Sequence, residues 1–274
     1  HIGFSISNFF RALWLGLSNS AFSASPYADA TAKYYKQMNR YSAALALMSD
    51  VAMGTMGGDL KRRERISARL GDMLSMLYLT SAVLKRFNDD GRPAQDLPLV
   101  QWACEDNMYK AQVALDEMLD NFPNRIVGSV LGKLLFPWGR TLRKASDQLD
   151  HQVSRIMQTP CEARSRLGTN LYLTLEPNNQ IGLIEKALTD ILAAEPIFDK
   201  VVHAANKRLP FFRLHEVAAL GLELGVITEA EAEKLRVAEQ GRLHTINVDD
   251  FDPLDLAADK SLFDKKPKPK SVAA

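Results

Sequence analysis

Two long segments, Tyr27–Met56 and Leu60–Phe87, repeat apolar side chains with a helical period and meet at one glycine pair, Gly57-Gly58. In the second, Ile66, Leu70, Met73, Leu77 and Leu84 fall on a single stripe, the spacing of an amphipathic helix. Helices of this length cannot bury such stripes alone, and a tight turn between them folds them back antiparallel. A third helical pattern, Leu97–Leu119, follows the loop Asn88–Pro93. Alternating β-branched runs are almost absent, so the expected fold is all-α: an antiparallel bundle built on two long helices. The chain of 274 residues is long enough for one large domain or two small ones, each with a real core.

Around that bundle the sequence divides at its punctuation. Residues 1–25 read as an amphipathic N-terminal segment with a helix over Phe4–Leu17, and 26–121 as the long-helix bundle. Residues 122–170 form an apolar and basic segment: Ile126–Phe136, a stop at Pro137-Trp138-Gly139, then a helix over Arg140–Met157. Thr159-Pro160-Cys161-Glu162 reads as a capping box with proline at the first helical position. Residues 171–259 form an acidic region of short helices: Ile181–Ala194, Pro196–Lys207, Leu214–Leu224, and one opened by the capping box Thr228–Glu231 and running to Leu243. Residues 260–274, with Lys265-Lys-Pro-Lys-Pro-Lys270, are expected to be a disordered basic tail.

The net charge of +1 conceals blocks. Residues 1–87 carry 11 basic and 5 acidic side chains, 88–121 carry 2 and 8, and 122–170 carry 8 and 3. Residues 171–259 carry 8 and 16, and 260–274 carry 5 and 1. The acidic blocks argue against nucleic acid as a partner. Only Cys104 and Cys161 occur, so no disulfide framework is expected and a reducing, cytoplasmic compartment is. The first residue is His1, which suggests a fragment or processed product; there is no signal peptide pattern and no apolar run of membrane-spanning length.

Motifs that carry chemistry are missing. The five histidines show no metal-binding spacing, and Gln148 stands where a di-iron bundle would need a glutamate. Asp147 and His151 share a helix face, which suits a surface hydrogen bond. The carboxylates Glu105, Asp106, Asp116, Glu117 and Asp120 suit a solvated face, and Gly54–Gly58 a helix terminator. No catalytic, cofactor-binding or metal-ligating residue is therefore assigned.

Both net-positive helical blocks contain apolar segments suited to a membrane surface or to packing in the bundle. In the first helix Ile6, Phe9, Phe10, Leu13, Trp14 and Leu17 recur at helical spacing around a lone Arg11, a pattern of helices lying in the interface plane. Phe9, Phe10, Trp14 and Leu17 are the first candidate anchor. Leu131, Leu134, Leu135, Phe136 and Trp138, with basic residues around them, are the second. Arg62, Arg63 and Arg65 place positive charge at a helix N-terminus, where the macrodipole disfavours it. That cluster needs a partner: the acidic helix face of 105–120, lipid phosphate, or another domain.

The stretch Asp59–Arg86 (DLKRRERISARLGDMLSMLYLTSAVLKR) resembles the C-terminal region of the bacterial long-chain acyl-CoA dehydrogenases of fatty-acid β-oxidation. Supporting stretches are Asp96–Val100, Asn121–Arg125, Phe136-Pro137 with Gly139-Arg140, Leu149–His151 and Ile246–Pro253. The resemblance implies a parent flavoprotein that oxidises acyl-CoA to the trans-2-enoyl-CoA with FAD and a glutamate base. Its dehydrogenase core would lie upstream, and this chain would be the helical domain that follows, with Ile66–Phe87 as central element. A looser similarity to the C-terminal extension of very-long-chain acyl-CoA dehydrogenase implies a homodimer and attachment to an anionic membrane surface, on the inner face of the cell membrane.

Overall fold

The computed structural model describes residues 2–206, 209, 210 and 213–248, and all its regular structure is helical. The chain divides into two compact units, His1–Thr169 and Asn170–Ala274. The expected tail, 260–274, lies outside the described residues.

The first unit holds α1 (Ile2–Leu17), α2 (Ala32–Met56), α3 (Glu64–Asp89), α4 (Leu97–Asp120), α5 (Arg125–Leu135), α6 (Asp147–Gln158) and α7 (Glu162–Leu167). The α2–α3–α4 bundle has the expected up-down-up course. Lys33 and Tyr41 of α2 meet Glu105 and Gln112 of α4 in the same order, whereas Arg69 of α3 meets Glu117. Its core takes Tyr41, Leu47 and Met48 from α2, Met73 and Leu77 from α3, and Met108, Leu115 and Met118 from α4. Ile66, Met73, Leu77 and Leu84 are buried and Leu70 is half-buried, so the stripe on α3 faces inward.

Several boundaries depart from the sequence reading, each for a local reason. The second helix starts at Ala32, not Tyr27, because the Asp29 carboxylate accepts the Thr31 N–H (2.8 Å) and hydroxyl (2.6 Å) in a tight turn. These bonds also hold the Asp29 carboxyl below its usual range. Gly57, at φ +51°, ends α2 as expected. Residues Gly57–Arg62 then form a 3-10 turn, and α3 starts only at Glu64, not Leu60, with Arg63 at its cap position.

The expected helix over Arg140–Met157 forms only from Asp147, capped by the Ser146 hydroxyl. Residues 140–146 cross the bundle as an irregular strap instead. The buried Gln112 amide holds it like a strand neighbour: its oxygen accepts the Leu142 N–H at 3.0 Å and its nitrogen donates to the Leu142 carbonyl at 3.1 Å. Thr159 does not cap α7; that position belongs to Cys161, without a side-chain bond.

The second unit packs α8 (Gln180–Ala205), α9 (Leu214–Glu223) and α10 (Glu229–Ile246) around Ala194, Ile197, Val201, Leu214, Val217, Ile227 and Leu235. The two helices expected at 181–207 are one. Pro196 leaves one carbonyl without its helical donor, but burial of Ala194, Ile197 and Val201 on either side carries the helix through. The Thr228–Glu231 capping box forms as read. The N-terminus of α9 is satisfied from α10, where buried Glu239 accepts the His215 backbone N–H at 2.7 Å.

Candidate membrane-facing surface

Helix α1 is laid against the bundle by its small side. Its buried residues are Asn8, Ala12, Leu15 and Gly16, and its aromatic side chains point outward. Phe10 is 62% exposed and Trp14 59%, with Phe9, Leu17, Ile2, Phe4 and Ile6 also exposed. The reason lies in how closely the backbones approach: a Cβ on Gly16 would sit 2.9 Å from the Leu134 carbonyl of α5. Small side chains permit that contact, so they take the inner face whatever the hydropathy of the rest.

The outward aromatics are ordered among themselves. Phe9 and Phe10 meet edge to face at 5.5 Å, and Trp14 stacks on Phe22 at 6.2 Å. Trp138, 68% exposed and just past the end of α5, donates its indole N–H to the Leu17 carbonyl at 2.7 Å and so stands beside the end of α1. Phe22 belongs to this surface although its position in a loop gave no periodic signal.

The second candidate anchor needs correction. Leu131 (6% exposed), Leu135 (3%) and Phe136 (5%) are core residues packed against α1, α2 and α4. They cannot meet lipid while the bundle is folded. Leu134 is half-buried. An 11-residue helix has one inner face, and on α5 that face is set by Gly128, Leu131 and Leu135; Ile126 and Val130 fall outside it and are exposed. Of the five residues, Trp138 alone stands fully outward.

Arg62, Arg63 and Arg65 are exposed, with Arg62 only 4.0 Å from Asp59 as its nearest acid. The acidic face of α4 does not serve them. Glu105 pairs with Lys33, Asp106 with Lys110, Asp116 with Arg140 and Glu117 with Arg69.

Under this surface lies one buried cation. Arg40 of α2 is 3% exposed and has no carboxylate partner among the described residues; it donates to the Leu135 carbonyl at 2.9 Å, to Asn19 Oδ1, and more distantly to Thr141 Oγ1 at 3.5 Å. It thereby ties α2 to the end of α5, to the loop after α1 and to the strap. Burial pulls its guanidinium below its ordinary pKa, although the group remains charged at any working pH. Sequence reading passed over Arg40, because among Lys36, Gln37, Asn39 and Ser42 it reads as an ordinary solvated cation.

Other titratable groups form no reactive constellation. The Cys104 thiol is buried among Tyr34, Leu84, Phe87 and Val100, and burial pushes it up to about 12, which keeps it protonated and inert. Among the described residues, no group of three or more His, Cys, Asp or Glu side chains converges on a metal position, and no helix is long and apolar enough to cross a membrane.

No solved structure matches the chain significantly. The family model described as acyl-CoA dehydrogenase, C-terminal, bacterial type, matches residues 1–251. That match spans both compact units and every described residue, so the chain belongs to the bacterial-type acyl-CoA dehydrogenase C-terminal family.

Proposed function

We infer that the chain is the noncatalytic helical module of a long-chain acyl-CoA dehydrogenase, and that it holds the enzyme at a membrane surface in the cytoplasm. The parent reaction would be oxidation of acyl-CoA to trans-2-enoyl-CoA, with FAD and the glutamate base in a core upstream. Two clefts of the first unit, about 360 and 300 Å³, lie at the lower end of drug-sized sites and are lined by several charged side chains, which supports placing the flavin outside them.

One observation carries the membrane reading: α1 packs through Asn8, Ala12, Leu15 and Gly16 and presents Phe9, Phe10, Trp14 and Leu17 outward. A contiguous exposed apolar patch marks an interaction surface. On a helix of this length with a single cation it suits the plane of the bilayer interface, where aromatic side chains sit well and each nearby Lys or Arg adds about 1 kcal/mol on anionic lipid. In flotation with phosphatidylglycerol-containing liposomes the chain should rise with the vesicles, and Phe10→Asp with Trp14→Asp should stay at the bottom. Equal flotation of the two would refute the anchor.

A second exposed face supports association with protein. Between Ile66 and Lys85 the outer side of α3 shows Gly71, Leu74, Ser75, Tyr78 and Leu79, interrupted by Arg69 at its edge and Asp72. Homodimerisation, or docking of the dehydrogenase core, would cover it. Leu74→Arg with Tyr78→Arg should convert a dimer to monomer in sedimentation velocity and leave the helical circular dichroism unchanged; an unaltered sedimentation coefficient would place the contact elsewhere.

A further inference from the structure

A cleft of about 360 Å³ opens between the end of α4 and the outer side of α5. Its floor is made by Gly128, Ser129 and Gly132, and Arg125 and Lys133 stand one helical turn to either side of Ser129. Gly128 is tight against α4, where a Cβ would lie 2.7 Å from the Leu119 carbonyl, while Gly132 has nothing within 4 Å. Small residues therefore bring the two helices together at one end and leave open space at the other.

The charges in the cleft are unevenly satisfied. Arg140, on the far wall, is bound by the Asp116 carboxylate through its Nε at 2.8 Å. Arg125 and Lys133 have no ion-pair partner among the described residues, and they outweigh the one carboxylate in the lining, Asp120. The α5 N-terminus is not part of the site, since the Asn124 side chain already accepts the Ile126 and Val127 N–H groups. What remains is a pocket with two free cations, a hydroxyl donor and a floor that a tetrahedral anion can approach closely.

Its position limits the source of that anion. Phe136 lines the cleft beneath the Arg140 guanidinium, which lies 4.9 Å from the ring, and Trp138, the exposed partner of the Leu17 carbonyl, lies between these two residues in the chain. On the neighbouring side of α5, Ile126 and Val130 are exposed. The cleft thus combines cations with the exposed apolar side chains of Ile126 and Val130 on the same helix. The geometry points to this cleft as a binding site for the phosphate of an anionic phospholipid, with Arg125, Lys133 and Ser129 as its ligands. The inference rests on the membrane reading of α1 and adds a lipid preference to it.

The test uses the whole 274-residue chain with phosphatidylcholine vesicles, with and without phosphatidylglycerol, and with sn-glycerol 3-phosphate as the soluble analogue. The wild type should prefer phosphatidylglycerol vesicles. Arg125→Gln with Lys133→Gln should lose that preference by about tenfold or more while keeping its binding to phosphatidylcholine. Ser129→Leu, which fills the cleft without altering charge at an exposed site, should lose it too. If Ser129→Leu keeps the full preference, the attraction is diffuse and the cleft is not a site. If glycerol 3-phosphate shifts the Ser129 and Gly132 amide resonances while phosphatidylglycerol confers no preference, the ligand is a soluble anion and the lipid assignment is wrong. The Phe10→Asp, Trp14→Asp protein separates the two readings. Loss of vesicle binding with the glycerol 3-phosphate response retained supports both, and retained phosphatidylglycerol binding supports the cleft against the α1 anchor.

Discussion

Arg40→Ala should lower the stability of the first unit by about 3–5 kcal/mol, enough to unfold much of it under mild conditions. The side chain is buried, and its bonds to the Leu135 carbonyl, Asn19 and Thr141 join four separate pieces of chain. Truncation leaves the end of α5 without a donor and a cavity beside Ala12, Tyr41 and Leu115. Two controls apportion the loss. Arg40→Met keeps the volume and removes an expensive buried charge, so it should cost less, about 2 kcal/mol, from the carbonyl and amide left without donors. Arg40→Lys keeps the charge but cannot reach acceptors that fan out on two sides, and it should fall between the other two. Urea denaturation read by far-ultraviolet circular dichroism gives all three values. A wild-type midpoint for Arg40→Met would show that these bonds contribute nothing net.

The same residue shows what was legible in the sequence and what was not. The long helices could be read because α3 keeps Ile66, Met73, Leu77 and Leu84 at a strict helical period with nothing competing for them. The Thr228–Glu231 box could be read because capping is settled within four residues. The irregular strap could not, because Gln112, thirty residues away, supplies the hydrogen bonds a helix would otherwise have made for Leu142. The orientation of α1 was half legible. Periodicity located its aromatic side, but whether that side turns inward depends on Gly16 and Ala12 allowing the neighbouring backbones so near. In α5 the opposite happened, and apolar residues that look like an anchor became core. Large apolar side chains at helical spacing mark a face; the small residues opposite them decide which way it points.

Gly182→Ala should damage the second unit for a reason that composition does not reveal. Gly182 is in the first turn of α8, and a Cβ there would lie 1.9 Å from the Thr174 carbonyl oxygen and 2.9 Å from its carbon. That obstacle is backbone, so no rotamer change relieves it, and the cost falls in the ordinary range of about 1–3 kcal/mol for overpacking. The loss is bounded by the cheapest escape, which is to release residues 172–175. Asn179 holds that stretch, donating to the Tyr172 carbonyl at 2.8 Å and to Thr174 Oγ1 at 3.1 Å while its oxygen caps the Gly182 N–H at 3.3 Å. The first two of these bonds are the ones released, and at about 1 kcal/mol each they set the ceiling near 2 kcal/mol. Leu171, Tyr172, Leu173 and Leu175 are already exposed, so their release forfeits little burial. The expected signature is therefore local: amides of 172–182 exchange faster and the segment becomes open to protease, while α9 and α10 keep their protection. Asn179→Ala should give the same pattern, and the double variant should be less stable than either single variant by well under the sum of their effects, because both act on one set of bonds. Full additivity, or a global loss of protection in Gly182→Ala, would mean that the clash is relieved by moving α8 itself.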